Sequence, residues 1–385
     1  MLDDQLRQIE QVAVDAAAQA ADFVGSRFGG KLDVSRKPEE GDTLVTDADV
    51  ASQRLIAGIV AARFPAHRLL GEEDRRAGGA GAGGRPGGAG GGHTGGSSGG
   101  ITGSSARGGQ GDATGGPTTE NAAFVDPAAT EFVWAVDPID CTVNFVNGLP
   151  IYAVSIGVLH RGRPVAGACA LPWPGTPHPI VIHARVGGGA WLGERRLRIE
   201  AARPAEAGRS PLAGRVAALP GGLRRAYRLS KEYLKEIGEP RTTGSAVYEQ
   251  MLVALGVAQY SITGPAKIWD FAAGVVIVRE AGGIAMMPAR PGDGARADHW
   301  RPLESFVDTY DLTPETMKRM RAWHGPVLLG PPSIVEFVAA SARPRRPSTL
   351  RRLRRRLLRR LSAGRSAQRA TGGRRPFGPP GTHAR

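Results

Sequence analysis

Trp134-Ala135-Val136-Asp137-Pro138-Ile139-Asp140-Cys141-Thr142-Val143-Asn144-Phe145 ends an apolar run with two carboxylates three residues apart, in a turn set by proline. Like charges a few ångströms apart resist joint ionisation. Each partly buried charge costs on the order of several kcal/mol if it is left unpaired. No Lys or Arg lies within the run. A divalent metal ion is the economical source of neutralising charge, and hard oxygen ligands point to magnesium.

Two distant segments supply further acids. Gly71-Glu72-Glu73-Asp74 follows the apolar pair Leu69-Leu70, which puts its carboxylates where a strand or helix ends. Trp269-Asp270-Phe271-Ala272-Ala273-Gly274 opens an apolar helical stretch closed by Glu280-Ala281-Gly282-Gly283. An aspartate near a helix N-terminus is electrostatically favoured, and the small residues behind it allow close packing. Carboxylates from three separated segments are a common way to build a metal cage.

Composition narrows the class. A chain of 385 residues can bury a large core or two half-domains. No apolar run reaches the ~20 residues of a membrane span. The acidic start Met1-Leu2-Asp3-Asp4 runs into a helical pattern, unlike a secretory signal. Cys141 and Cys169 are the two cysteines and make no disulfide framework, so a reducing cytoplasm is the expected location. The net charge of +14 belongs to one end of the chain. Fifteen of the 50 Lys and Arg residues lie from Arg343 onward, with no acid among them, leaving 35 against 36 acids before that point. The body is therefore near neutral and does not read as a nucleic-acid binder.

Periodicity predicts an amphipathic helix over residues 5–28, with Leu6, Ile9, Val12, Ala16, Ala20 and Val24 on one face. A second helix is expected from Asp47 to Phe64, ended by Pro65. Residues 77–120 are Gly, Ser, Ala and Thr with almost no apolar side chains, and are expected to form a flexible loop between the two acidic segments. Residues 131–199 alternate apolar strands with Gly/Pro turns, as in a meandering sheet. Helices are expected at 249–257, 271–281 and 333–340, and a strand at 326–329. In the tail, Leu350, Leu353, Leu357, Leu358 and Leu361 recur among arginines. That is a basic amphipathic pattern suited to an anionic membrane surface or to nucleic acid, or else a disordered solubilising extension. Residues 1–342 are thus expected to form one main domain, with 77–120 as an insertion, and 343–385 a basic tail, its partner-binding part within 343–375.

The acidic segments together resemble the signature of the inositol monophosphatase family of magnesium-dependent, lithium-sensitive phosphatases: a GEE turn, a WxxDPIDGTxNF loop and a WDxAAG helix start, in that order. Leu44-Val45-Thr46-Asp47-Ala48-Asp49, Val154-Ser155-Ile156-Gly157-Val158, Gly187 to Gly193, and Thr243-Gly244-Ser245-Ala246 resemble further family segments. The resemblance implies a layered αβαβα sandwich of α+β class and hydrolysis of a phosphate monoester by metal-activated water, with two or three magnesium ions. It implies that Glu72, Asp137 and the Ile139 carbonyl hold one ion, and that Asp137, Asp140 and Asp270 hold a second. Thr142 would orient the attacking water, Asp49 would polarise the Thr142 hydroxyl, and Glu73 would act through a third ion or its water. The amides of Cys141 and Thr142 would bind phosphate, with Gly244, Ser245 and Ala246 at the substrate. A homodimer is also implied.

The sequence departs from the family pattern at two places. Cys141 stands where the family usually has Gly, which costs energy if the turn needs positive φ. Thr263 stands where true inositol monophosphatases carry an acid for ring hydroxyls, while Lys267 could meet a second anionic group. Thr263 and Lys267 shift the expectation from inositol 1-phosphate toward related esters such as fructose 1,6-bisphosphate, histidinol phosphate or 3′-phosphoadenosine 5′-phosphate. The other outcome is a weakly active or regulatory member acting through its arginine tail.

Overall fold

Helix Leu2–Arg27 turns a face of Leu6, Ile9, Ala13, Ala16, Ala17, Ala20 and Val24 inward. Its many alanines let it lie close to a sheet beside helix Asp47–Arg63. The computed structural model describes residues 2–37, 43–73, 131–199, 214–289, 299–311 and 313–345. These two helices form the first of five layers.

The second layer is a seven-stranded sheet whose spatial order is its chain order: Arg68–Gly71, Phe132–Asp140, Ala153–His160, Arg163–Leu171, Ile180–Arg185, Gly189–Leu192 and Arg195–Leu197. The first pair is parallel and the rest are antiparallel, which bears out the expected meander. Every residue of Phe132–Asp140 is buried. Helices cover both faces of this strand, so its sequence is continuously apolar rather than alternating.

Helices Ala246–Ala254 and Ile268–Glu280 make the middle layer, between the two sheets. Ile268–Glu280 is buried from Ile268 through Val278. Beyond it lies a six-stranded mixed sheet, ordered Glu239–Arg241, Val216–Ala218, Ala258–Ile262, Leu328–Gly330, Ile284–Pro288 and Trp300–Pro302. Helices Lys231–Glu236 and Pro332–Ser341 cover its far face over Tyr233, Tyr260, Ile334, Val335 and Val338. The result is the αβαβα sandwich of α+β class.

Two middle-layer helices start three residues earlier than periodicity predicted. Both are apolar nearly all round, so their ends are set by caps. The Ser245 hydroxyl accepts from the Tyr248 amide, and the Lys267 amide donates to Asp270 Oδ2 at 2.5 Å. Past the first of these helices, Gly256 takes φ +74°, so Val257 lies outside it. The C-terminal strand Ala342–Pro344 pairs antiparallel with Tyr227–Leu229, so Arg343, read as the start of the tail, is part of the fold. The Gly-rich stretch 77–120 and the leucine–arginine pattern 350–361 lie outside the described residues. Among the described residues no helix is long and apolar enough to cross a membrane.

The first sheet meets Ile268–Glu280 at unusually close range. A Cβ on Gly157 would fall 2.3 Å from the Ala272 Cβ and 2.5 Å from the Ala273 amide nitrogen. Gly157→Ala should therefore lower unfolding free energy by about 1–3 kcal/mol. Gly25→Ala, where nothing lies within 4 Å, should be neutral or slightly stabilising. Denaturant unfolding of the two variants checks this, and equal midpoints would refute the close approach.

Candidate metal centre and active site

Asp137 and Asp140 would point to opposite faces of a regular strand, being three residues apart. The strand is not regular there. Asp137 pairs with Ser155 and Asp140 with Ala153, so three steps on one strand span two on the other. This bulge, formed at Pro138-Ile139, brings both carboxylates to one side. The Ile139 amide donates to Asp137 Oδ1 at 3.1 Å. Asp270, at the third position of its helix, joins them. One ligand oxygen from each of Asp137, Asp140 and Asp270 lies within 4.8 Å of the others.

Burial and mutual repulsion make this cluster costly when all three acids are ionised. Burial, followed by the neighbouring carboxylates, pushes Asp137 well above the ordinary aspartate range. Burial and the charge of Asp140 push Asp270 up to about 7. Asp140 rises only to about 6, because burial is opposed by hydrogen bonds from Ser245 and Val247. Its Oδ2 accepts from the Ser245 hydroxyl and, at 2.7 Å, from the Val247 amide. One oxygen of Asp140 thus caps helix Ala246–Ala254, which fixes the carboxylate's orientation. Oxygen-only donors of this charge fit magnesium or another hard divalent cation.

The Glu72-Glu73 turn follows strand Arg68–Gly71, and the Glu72 amide donates to the Val136 carbonyl at 3.0 Å. The charge of Glu72 raises Asp137, Asp140 and Asp270, so it acts on the cage. Its Oε1, however, accepts from Lys37 Nζ at 2.8 Å, and the same ammonium contacts Glu73. Burial lifts Glu73 to about 7 in spite of Lys37. Lys37 is itself buried, and the two glutamates hold it above the usual lysine range against the opposing effect of burial. Lys37 was not singled out from the sequence. It ends a short strand, Val34–Lys37, and nothing near it in the chain names its partners.

Of the two acids in its segment, Asp49 is the one that reaches the aspartate loop. Its Oδ1 accepts from the Thr142 hydroxyl at 3.0 Å, while Oδ2 accepts from the Thr46 amide and hydroxyl. Burial raises it to about 6. Asp47 instead pairs with Arg27 at 2.6 Å on the surface. The Thr142 hydroxyl also lies 3.3 Å from the Ile139 carbonyl. Asn144, another residue not singled out, donates to the Ile151 and Thr243 carbonyls and ties the aspartate loop to the 243–246 turn. Glu249, pushed up to about 7 by burial, accepts from the Thr243 amide and hydroxyl in the same turn.

Three further positions singled out from the sequence have distinct surroundings. Thr263 has its hydroxyl committed within the fold. It is buried, and its hydroxyl donates to the Val327 carbonyl and accepts from the Val327 amide, extending a sheet ladder. Lys267 is half-buried with its ammonium 5.8 Å from the centroid of the Trp269 ring. Cys141 takes φ +68°, so the turn does use the left-handed region that glycine favours. Burial raises the Cys141 thiol to about 11, which leaves little thiolate.

Five alternating layers around a buried acidic cage at the end of a bulged strand define a layered phosphatase architecture. Residues 5–305 match the inositol monophosphatase family, and the chain belongs to it. It is accordingly a phosphatase of a metal-dependent family. It is 25% identical over 293 residues to a fructose-1,6-bisphosphatase/inositol-1-monophosphatase of Aquifex aeolicus, covering 75% of this chain and 89% of the relative. It is 30% identical over 250 residues to the chloroplastic phosphatase IMPL1 of Arabidopsis thaliana, covering 62% of this chain and 52% of that protein. The Nus factor SuhB of Pasteurella multocida is 25% identical, with 71% of this chain and 82% of the relative covered. Among solved structures, the suhB protein of Bartonella henselae superposes with a TM-score of 0.55 at 20% identity, covering 86% of this chain and 97% of that one. The Anabaena inositol monophosphatase gives 0.52 at 20% identity, covering 88% and 95%.

Asp270 has a folded value of about 7 against an ordinary 3.8. For an acid raised on folding, the stabilisation is present below about pH 4 and is lost as pH rises towards 7. Thermal melts in chelator should show wild type losing more stability than Asp270→Asn across that window. Parallel profiles would refute the electrostatic account. Cys141→Gly should raise the melting temperature by about 1–3 °C, because left-handed backbone strain of about 1–2 kcal/mol exceeds the entropic cost of glycine. A lower melting temperature would show that the thiol's contacts outweigh the strain.

Proposed function

We propose that the chain hydrolyses a small phosphate monoester with magnesium held by Asp137, Asp140, Asp270 and Glu72, with the Ile139 carbonyl beside them. The observation that carries this is the convergence of three buried, mutually repelling carboxylate oxygens within 4.8 Å. When bound, two or three ions would supply positive charge to the phosphoryl oxygens and make water a better nucleophile.

The protein's own groups have separate tasks. Asp49 takes the Thr142 hydroxyl proton in a hydrogen bond, which leaves the hydroxyl oxygen's lone pairs to accept from and orient an attacking water. Glu73, whose carboxyl is raised to about 7 by burial, would exchange a proton with that water network. The amides of Cys141 and Thr142, at the start of helix Thr142–Val146, offer donors to phosphate. The turn Gly244-Ser245-Ala246 would bound the rest of the ester. Residue 263 is a threonine whose hydroxyl is bonded to Val327, so it supplies no carboxylate for ring hydroxyls. This favours a substrate other than inositol 1-phosphate. We read the working unit as a homodimer on the family resemblance, and its location as a reducing cytoplasm on the two free cysteines. The SuhB relatives, named Nus factors, support a second reading as a regulatory protein, but the intact carboxylates favour hydrolysis.

Phosphate release should be measured from inositol 1-phosphate, fructose 1,6-bisphosphate, histidinol phosphate and 3′-phosphoadenosine 5′-phosphate. At least one ester should turn over with magnesium and none with chelator. Asp137→Asn should lower that rate by about 10²–10³-fold or more. Equal turnover by wild type and variant would remove the assigned site.

A further inference from the structure

Beyond residue 305, where the match to the family ends, helix Pro314–Ala322 leads back to the strand Leu328–Gly330. This segment is firmly anchored. Trp323 is buried, edge-on to Phe271 at 5.7 Å and to Phe306 at 4.9 Å. Directly after it, His324 and Gly325 pair antiparallel with Lys267 and Ala266. With its base fixed, the last turn of the helix delivers Arg321 to a particular place. Arg321 Nη2 donates to the Gly71 carbonyl at 2.9 Å, and its guanidinium carbon lies 5.6 Å from the centroid of the Trp269 ring.

Both contacts fall one residue before a proposed ligand. Gly71 precedes Glu72, on the last residue of a strand in the first sheet. Trp269 precedes Asp270, in the middle-layer helix. Arg321 therefore bridges the backbone carrying one carboxylate to the element carrying another. A planar guanidinium suits this, since it stacks on an aromatic face while donating in its own plane. Gly71 is itself tightly fitted: a Cβ there would sit 2.4 Å from the Gln53 side chain, whose Oε1 accepts from the Glu73 amide at 2.7 Å.

We propose that Arg321 is a positioning residue that sets the spacing of Glu72 relative to Asp270 and thereby raises the affinity of the cage for divalent cation. The inference rests on the metal reading of the site. Groups that orient metal ligands typically change affinity by about 10–100-fold when removed.

The test is isothermal titration of the metal-free full-length protein with magnesium, alongside its melting temperature without metal. Arg321→Gln should bind magnesium about 10-fold more weakly, with the metal-free melting temperature nearly unchanged. Arg321→Lys, which keeps the charge and a donor but not the plane, should fall between that variant and wild type. Wild-type affinity in Arg321→Gln overturns the inference and leaves the metal reading intact. A metal-free melting temperature that falls in step with affinity in both variants also overturns it, since the arginine would then be structural only. Failure of wild type to bind magnesium overturns the metal reading and the inference together.

Discussion

Repulsion among Asp137, Asp140 and Asp270 is the constraint around which the molecule is arranged. Three carboxylates in a buried space do not gather by themselves, and hydrophobic burial alone would drive them apart or neutralise them. Each is held by a different device. The Asp137 carboxylate accepts from the Ile139 amide across the bulge. Asp140 caps the helix that follows Ser245. Asp270 accepts from the Lys267 amide at the start of its own helix. These bonds compensate only part of the cost, as the raised values of all three acids attest. The remainder is what a bound cation would recover.

The layered fold makes such gathering affordable. The cage lies where the end of a first-sheet strand meets the N-terminal ends of two middle-layer helices. Helix starts carry partial positive charge, which favours carboxylates over any other arrangement of their ends. The close contact of Gly157 with Ala272 and Ala273 then fixes Ile268–Glu280 against the sheet, so Asp270 and Asp137 belong to one rigid unit. Packing in the core and geometry at the site are the same restraint seen at different distances.

Much of this could be read from sequence because the relevant information is local. Proline between two aspartates announces a turn, and an aspartate at a helix start announces a cap. Asp49 rather than Asp47 reaches Thr142, and the capping box formed by Thr46 and Asp49 shows what holds that register. Residues that act through distant contacts left no such trace. Lys37 meets Glu72 and Glu73 across 35 and 36 positions, and Arg321 meets Gly71 across 250. The bonding of the Thr263 hydroxyl to Val327, 64 positions away, left no local trace either. Burial on both faces also erased the periodicity that would have marked the starts of the middle helices.

Cys141 joins these threads. Its left-handed backbone is needed so that the chain can leave the bulge and begin helix Thr142–Val146 at once, with Asn144 and Phe145 amides bonding back to the Cys141 carbonyl. Glycine would meet that need without strain. A Cβ on Gly244 would stand 3.4 Å from the Cys141 sulfur, so the thiol occupies space beside the turn that Glu249 and Asn144 hold in place. The side chain therefore fills a gap between the aspartate loop and the 243–246 turn, and its packing offsets part of the backbone cost. Burial favours the protonated form of the thiol, which packs there as a small, weakly polar side chain.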